Sequence, residues 1–389
     1  MNASPQSSPS IAMLRKLIEF PTVSRDSNLA LIDFVRATLA PLDPDVRMTY
    51  DDDRRKANVF ATLGPRGDGI ALSGHTDVVP TEGQAWDADP FQLIEKDGKL
   101  YGRGASDMKG FIACVLALAP EFMERGLKTP LHLAFSYDEE VGCLGVRRLI
   151  GDLRRAGLHP RSCIVGEPTG MQPVIAHKGK VGYRCTVHGL AGHSAYAPAG
   201  VNAVEYAAEA VAFLKKLARR HRDGGPYDRG FDVAHTTIHT GVLRGGTALN
   251  VIPHECLFDF EFRHLPGDDP GQLLREFTDY VRKTLEPEMR AVHPAAGFTI
   301  EPLSAIPVLD TGPESEVVAL AQELSGSGEI GKVSFGTEAS QFHAAGIPTV
   351  VCGPGSILQA HKPNEYVTVE QISRCDEFLR RLMRRMCAR

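Results

Sequence analysis

Five potential metal donors, His75, Asp107, Glu140, Glu167 and His361, are scattered across most of this 389-residue chain, so a fold that uses them together must bring distant segments to one place. Imidazole and carboxylate are the donors that divalent zinc or cobalt accepts. A dinuclear hydrolytic site needs terminal donors on each ion and one carboxylate shared between them, and these five residues supply that count.

The segments around them alternate in character. Short apolar runs at 58–63, 70–74, 131–136 and 162–165 read as buried strands ending in polar loops, and 108–125 and 143–156 read as helices. Two more helices are expected between residues 10 and 40, separated by a turn at Phe20-Pro21, where proline fixes φ and removes a donor. Strands alternating with helices imply an α/β sheet covered on both faces. The candidate donors fall where strands end, and in open α/β sheets ligands gather outside the carboxyl ends of strands.

From about Lys180 the pattern changes to a strand (181–190), a long helix (203–220), two strands (235–243 and 249–262), a helix (270–285) and a strand near Phe298. This β-α-β-β-α-β order is the split, ferredoxin-like arrangement, which folds as an insertion inside a larger domain. The expected fold is therefore a mixed-sheet α/β metallohydrolase domain, residues 1–179 and 303–389, with a ferredoxin-like α+β domain, 180–302, inserted into it. Two domains suit the length, and 43% hydrophobic residues can fill both cores.

Composition excludes several functions. A formal charge of −5 gives no broad basic field, so no nucleic-acid partner is expected, and the arginine-rich stretch 374–389 reads as the solvated face of a last helix. Eight cysteines without CxxC spacing fit a reducing cytoplasm. The polar opening MNASPQSSPS lacks the apolar core of a secretory signal and reads as a disordered tail. The most apolar stretch, 111–119, stops at Pro120 and is too short to cross a bilayer, so no membrane span is expected.

Each candidate also has a plainer explanation. Asp77, two residues beyond His75 on an extended chain, projects to the same side and can orient that imidazole through its second nitrogen, or His75 is a core histidine and Asp77 a turn residue. Asp107 precedes an apolar helix, where it is either an N-cap or a carboxylate shared by two ions. Asp138, Glu139 and Glu140 repel one another unless cations neutralise them, although an acidic helix N-terminus is the alternative. In a metal site Glu140 binds an ion and Glu139, left unliganded, shuttles a proton from water to the leaving amine. Glu167 and His361 taken singly could be structural.

Taken together, GHTDVVP (74–80), GRGASDMKG (102–110), YDEEVGCLG (137–145), GEPT (166–169) and QAHKPNE (359–365) resemble the dinuclear zinc aminoacylase, desuccinylase and carboxypeptidase family. The resemblance runs from His75 to beyond His361 and includes stretches that look like its deacetylase branch. It implies hydrolysis of the amide of a small N-acylated amino acid by two divalent ions, zinc or cobalt, with His75 and Glu167 on one, Glu140 and His361 on the other, and Asp107 between them. Glu139 becomes the general base. The resemblance also implies a homodimer through the smaller domain, and a histidine, matched by His193 in GLAGHS, that polarises the scissile carbonyl, often from the partner subunit. Asn250 and Arg263 match substrate-side positions, and the Arg263 guanidinium suits an α-carboxylate. Glu338 is the candidate contact for a cationic substrate side chain, and Gly355 in Gly353-Pro354-Gly355-Ser356 either cradles substrate or forms a turn. A binding relative with a decayed site would lack a donor or the base, and all are present.

Overall fold

The structure, a computed structural model, describes residues 8–387. The chain divides into two units: one takes the residues up to Ala176, Leu309–Lys332 and those from Thr337 on, the other His177–Val308 and Val333–Gly336. In chain order, α1 (Pro9–Ile18), α2 (Leu29–Leu39), β1 (Asp45–Tyr50), β2 (Ala57–Leu63) and β3 (Ile70–His75) are followed by the short β4 (Ile94–Lys96) and β5 (Lys99–Tyr101). Next come α3 (Lys109–Glu124), β6 (Leu131–Ser136), α4 (Leu144–Arg155), β7 (Ser162–Pro168) and β8 (Val174–His177). The second unit contributes β9 (Gly179–His188), β10 (Gly192–His193), α5 (Ala203–Gly224), β11 (Thr237–Gly245), β12 (Val251–Ile252), β13 (Glu255–His264), α6 (Pro270–Tyr280), α7 (Glu286–Val292) and β14 (Gly297–Ile306). The chain then runs through β15 (Leu309–Asp310), α8 (Glu316–Ser325), β16 (Gly331–Val333), α9 (Ala339–Ala344), β17 (Thr349–Gly353), β18 (Tyr366–Thr368) and α10 (Val369–Cys387).

A mixed nine-stranded sheet in the order β1-β2-β6-β3-β7-β17-β8-β15, with β16 beside β8, forms the frame of the first unit. Its centre, β6-β3-β7-β17, is parallel, and antiparallel strands flank it. The central strands are buried on both faces, as their near-continuous apolar runs require. Alternation along β3 identifies the two layers: Gly74 lies against Met108 and Ile112 beside α3, while Ser73 on the opposite face donates to Glu338 at the start of α9. Helix α3 is apolar nearly all round and correspondingly buried, with α1 and α10 packed on it.

One expectation needs correction here. Of the ten-residue opening expected to be a disordered tail, the first seven lie outside the described residues. The rest begin α1, where the buried Ser10 hydroxyl donates to Asp376 of α10 at 2.5 Å. Helix α3, expected over 108–125, spans Lys109–Glu124 and passes through Pro120, where the lost hydrogen bond does not end a segment whose flanks are well packed.

In the second unit the antiparallel sheet β11-β13-β9-β14 is covered on one face by α5 and α6. Strict alternation along β13 sends Cys256, Phe258, Phe260 and Phe262 into that core and Leu257, Asp259, Glu261 and Arg263 to the other face. Phe260 meets Phe277 of α6 with ring centroids 5.0 Å apart, and the Asn202 side chain accepts from Val204 and Glu205 to cap α5.

The tightest contact in the first unit lies where β7 passes beneath α3: a Cβ on Gly166 would stand 1.9 Å from the Phe111 ring. Gly166→Ala is therefore expected to destabilise the protein by about 1–3 kcal/mol, the range for overpacked cores. Chemical denaturation of the full-length protein measures this, and an unchanged midpoint would show that α3 moves freely relative to the sheet.

Candidate metal centre

The four central parallel strands direct their carboxyl ends to one edge of the sheet. His75 ends β3, Glu139 and Glu140 follow β6, Glu167 is the penultimate residue of β7, and His361 lies in the loop after β17. Asp107 enters from the loop before α3. Glu167, expected to end the strand read at 162–165, lies within β7, which continues to Pro168.

The structure brings these side chains into contact. His75 Nε2 is 3.0 Å from Asp107 Oδ1 and 3.6 Å from Glu167, while His361 Nε2 is 3.0 Å from Glu140 and 3.3 Å from Asp107 Oδ2. Asp107 thus offers one oxygen towards each histidine, the geometry a shared carboxylate needs. Donor atoms of His75, Asp107 and Glu140 all lie within 4.8 Å of one another, and so do those of His75, Glu139 and Glu167. The His75 side chain is fully buried and that of His361 is 53% exposed, so one side of the cluster opens to solvent.

Local structure removes two of the plainer explanations. Met108 caps α3 without any side-chain bond, so Asp107 is not its N-cap. Helix α4 begins only at Leu144, which places Glu139 and Glu140 in the turn before it and not in its first turn.

Asp77 acts differently from expectation. His75 Nδ1 donates to the Asp77 backbone carbonyl at 2.9 Å, whereas the Asp77 carboxylate is 3.6 Å away, too far for a hydrogen bond. Because a carbonyl only accepts, Nδ1 carries a proton, and Nε2, which faces the cluster, is the nitrogen whose lone pair a metal would take. The Asp77 carboxylate instead accepts from Ser24 Oγ at 2.7 Å and from the backbone N–H groups of Glu139 and Glu140 at 3.0 and 3.3 Å. It therefore pins the turn that presents both glutamates.

The cluster is electrostatically incomplete on its own. Burial pushes Glu139 up to about 8, with Glu140 and Asp107 adding to the shift against the counteracting charge of His75. Burial together with Asp107 likewise raises Glu140 to about 7 despite the His361 hydrogen bond, and burial raises Glu167 well above its usual range. Hydrogen bonds to Asp107 and Glu140 push His361 up to about 10. Asp107, although buried, is held well below the usual carboxylate range by the hydrogen bonds of His361 and His75. Protons on the imidazoles and glutamates offset the surplus negative charge here. Divalent cations fit the same position, since the donors are nitrogen and oxygen and the surplus charge is negative.

Two expected substrate contacts are corrected. Glu338 is wholly buried, and its two oxygens accept from Ser73 Oγ at 2.7 Å and Ser136 Oγ at 2.5 Å. It links β3 to β6 beneath the cluster and has no exposed oxygen for a substrate cation. Gly355, at φ 93°, has its N–H on Gln371 and its carbonyl on Gly170, so its main chain serves a turn and not a cradle. The other three lie in the second unit. His193 pairs with Val251 between β10 and β12, and its Nδ1 accepts from the Ala195 N–H at 3.1 Å, which leaves the proton on Nε2. Asn250 is exposed beside it. Arg263 Nε is bound to Glu261 at 2.8 Å, and Glu261 also pairs with Lys180.

Sequence reasoning missed Lys56, whose ammonium lies 2.6 and 2.8 Å from the two oxygens of Asp138 and so neutralises one of the three adjacent acids. It also missed Glu365, although the residue sits in the QAHKPNE stretch. Its Oε1 accepts from the backbone N–H groups of Ser106 and Asp107 at 2.9 and 3.0 Å. Both partners lie far away in sequence, and no periodicity announces them.

Known proteins resemble the chain along nearly its whole length. The model of peptidase family M20/M25/M40 matches residues 71–385. The chain is 39% identical over 385 residues to the acetylornithine deacetylase of Myxococcus xanthus, covering 97% of each, and 34% identical to that of Proteus mirabilis, covering 97% and 96%. Among solved structures it resembles aminopeptidase PepT from Bacillus cereus (TM-score 0.77, 18% identity, 98% and 99% covered). It also resembles a dinuclear metal-binding peptidase from Bacillus subtilis (TM-score 0.67, 16% identity, 96% of each covered). The family match spans all five donors and Glu139: this chain is a member of peptidase family M20/M25/M40.

Proposed function

We propose that the protein is a dinuclear metal-dependent amide hydrolase that removes the acetyl group from N2-acetylornithine, releasing acetate and ornithine for arginine biosynthesis. The observation that carries the hydrolase reading is Asp107 with one oxygen towards each histidine, between His75 and Glu167 on one side and Glu140 and His361 on the other. Near-full-length similarity to two acetylornithine deacetylases supports the substrate. Two divalent ions, zinc foremost and cobalt as the alternative, supply Lewis acidity that acidifies water and polarises the acyl carbonyl when bound.

The chain's own groups carry the remaining steps. Glu139, fixed by the Asp77 grip on its backbone, accepts a proton from the attacking water. The oxygen of that water bonds to the acyl carbon, the C–N bond breaks, and the same proton passes from Glu139 to the departing nitrogen. His193, protonated on Nε2, donates to the developing oxyanion, and Arg263 offers its terminal nitrogens to the substrate α-carboxylate. The second unit is the dimerisation element, from which His193 serves its own or the partner subunit's site. Eight free cysteines accord with the cytoplasm as its location. Among the described residues no helix is long and apolar enough to cross a membrane. N-succinyl-diaminopimelate is the competing substrate. A desuccinylase benefits from extra cations near the acyl pocket, and around Lys178 and Lys180 this chain shows Val181 and Tyr183 instead.

Glu139→Ala should lower amine release by about 10²–10⁴-fold, the usual contribution of a general base, and leave metal content near normal. Coincident loss of metal would reassign Glu139 as a ligand. Assayed side by side with zinc or cobalt, N2-acetylornithine should outpace N-succinyl-diaminopimelate and N-acetylcitrulline; equal rates on all three would remove the substrate assignment.

Metal-free protein should lose stability as pH rises. Glu139 and Glu140 titrate from an ordinary 4.5 up to about 8 and 7 in the fold, so above 4.5 the unfolded chain sheds protons that the folded chain keeps. The resulting destabilisation is complete only above about 8. His361, raised from 6.5 to about 10, acts in the same direction: its contribution is whole below 6.5 and fades through 10. Melting temperatures after chelation should therefore fall between about pH 5 and pH 9, and zinc should abolish the decline because its ligands bind deprotonated. An identical slope with and without zinc would place the ions elsewhere.

A further inference from the structure

The Gln84–Arg103–Glu365 network touches neither of the two histidines' rings, yet it holds the backbones of both Asp107 and His361. Arg103 is 1% exposed, and its guanidinium Nη1 donates to Glu365 Oε2 at 2.7 Å. The other Glu365 oxygen takes the N–H groups of Ser106 and Asp107, so this single carboxylate reaches the Asp107 backbone from 258 positions away. Arg103 Nη2 donates to Gln84 Oε1, which also accepts from Trp86 Nε1 at 3.1 Å, and the indole ring stacks with the guanidinium 5.0 Å from its centroid. Gln84 Nε2 then donates to the backbone carbonyl of His361 at 3.0 Å.

His361 needs such a hold. Its φ is 64°, a left-handed conformation that a non-glycine residue adopts at a cost, and its side chain is half exposed on a loop without strand pairing. His75 and Glu167 are held independently by the β3 and β7 register and by the Asp77 carbonyl. Metal–donor bonds are about 2.0–2.2 Å long for nitrogen and carboxylate oxygen, so a shift of a few tenths of an ångström between Asp107 and His361 acts directly on the ion they share.

Resting on the dinuclear reading above, we infer that Gln84, Arg103 and Glu365 are positioning residues that set the spacing of His361 from Asp107 and thereby control occupancy of the second ion position, the one served by Glu140 and His361. A buried ion pair is a poor source of stability, but removing one partner leaves a buried charge uncompensated, which suits a pair kept for placement. Arg103→Lys keeps the charge yet loses the fork that reaches Glu365 and Gln84 together. Gln84 is only half-buried on a loop, so Gln84→Ala cuts the relay at its outer end with little demand on folding.

The test is equilibrium dialysis of metal-depleted full-length protein against zinc, with bound ions counted at each free concentration and melting temperature recorded alongside. Wild type should take up two ions per chain. Gln84→Ala and Arg103→Lys should bind the first with unchanged affinity and the second about 10–100-fold more weakly, the usual range for outer-shell partners of metal ligands. Two ions at wild-type affinity in both variants would overturn the inference, and so would parallel weakening of both ions together with a lowered melting temperature. Wild type that binds fewer than two ions would instead fail the dinuclear reading itself.

Discussion

The burial of several carboxylates at one place governs this molecule. Asp77, Asp107, Glu139, Glu140 and Glu167 meet at the carboxyl edge of four parallel strands with two imidazoles among them. The chain spends considerable structure on keeping them there. Asp77 is satisfied by a hydroxyl and two backbone N–H groups, Asp138 by Lys56, and Glu338 by two serines beneath the site. Burial raises the proton affinity of Glu139, Glu140 and Glu167 in the cluster, and also that of Asp138 and Glu338 despite their partners. Buried carboxylates gathered around two imidazoles, with too little positive charge in the chain to balance them, form a site suited to cations.

The frame was readable where local physics decides. The runs at 70–74 and 131–136 are buried on both faces and so mostly apolar, which makes the strands visible, and the donors follow within a few residues of their ends. The β-α-β-β-α-β order was equally legible, because alternation along β13 reflects one covered face. The strand read at 162–165 runs on through Glu167 to Pro168. Proline is tolerated at the end of β7, where the pairing with β17 already shifts register.

Side-chain direction was much less accessible. Asp77 and Glu338 were given roles through neighbourhood in sequence or motif, but whether a carboxylate faces the cavity or the layer behind it depends on partners such as Ser24, Ser73 and Ser136, dozens to hundreds of positions away. Gly355 illustrates the same gap: a glycine-rich turn offers backbone groups, and only the fold shows that Gln371 and Gly170 already use them. Lys56 and Glu365 left no trace in sequence because a lone charged residue at a strand start or in a loop has the composition of any solvated surface.

The ends of β3, β6, β7 and β17 and the loop before α3 each add at most two side chains to the cluster. No contiguous stretch therefore possesses the chelating power of the whole, and a nascent chain can acquire its full complement of ions only after the late-synthesised segment carrying His361 has threaded into place beside strands made hundreds of residues earlier. Cofactor insertion then becomes the closing event of biogenesis, and a loaded molecule is one whose topology is already complete.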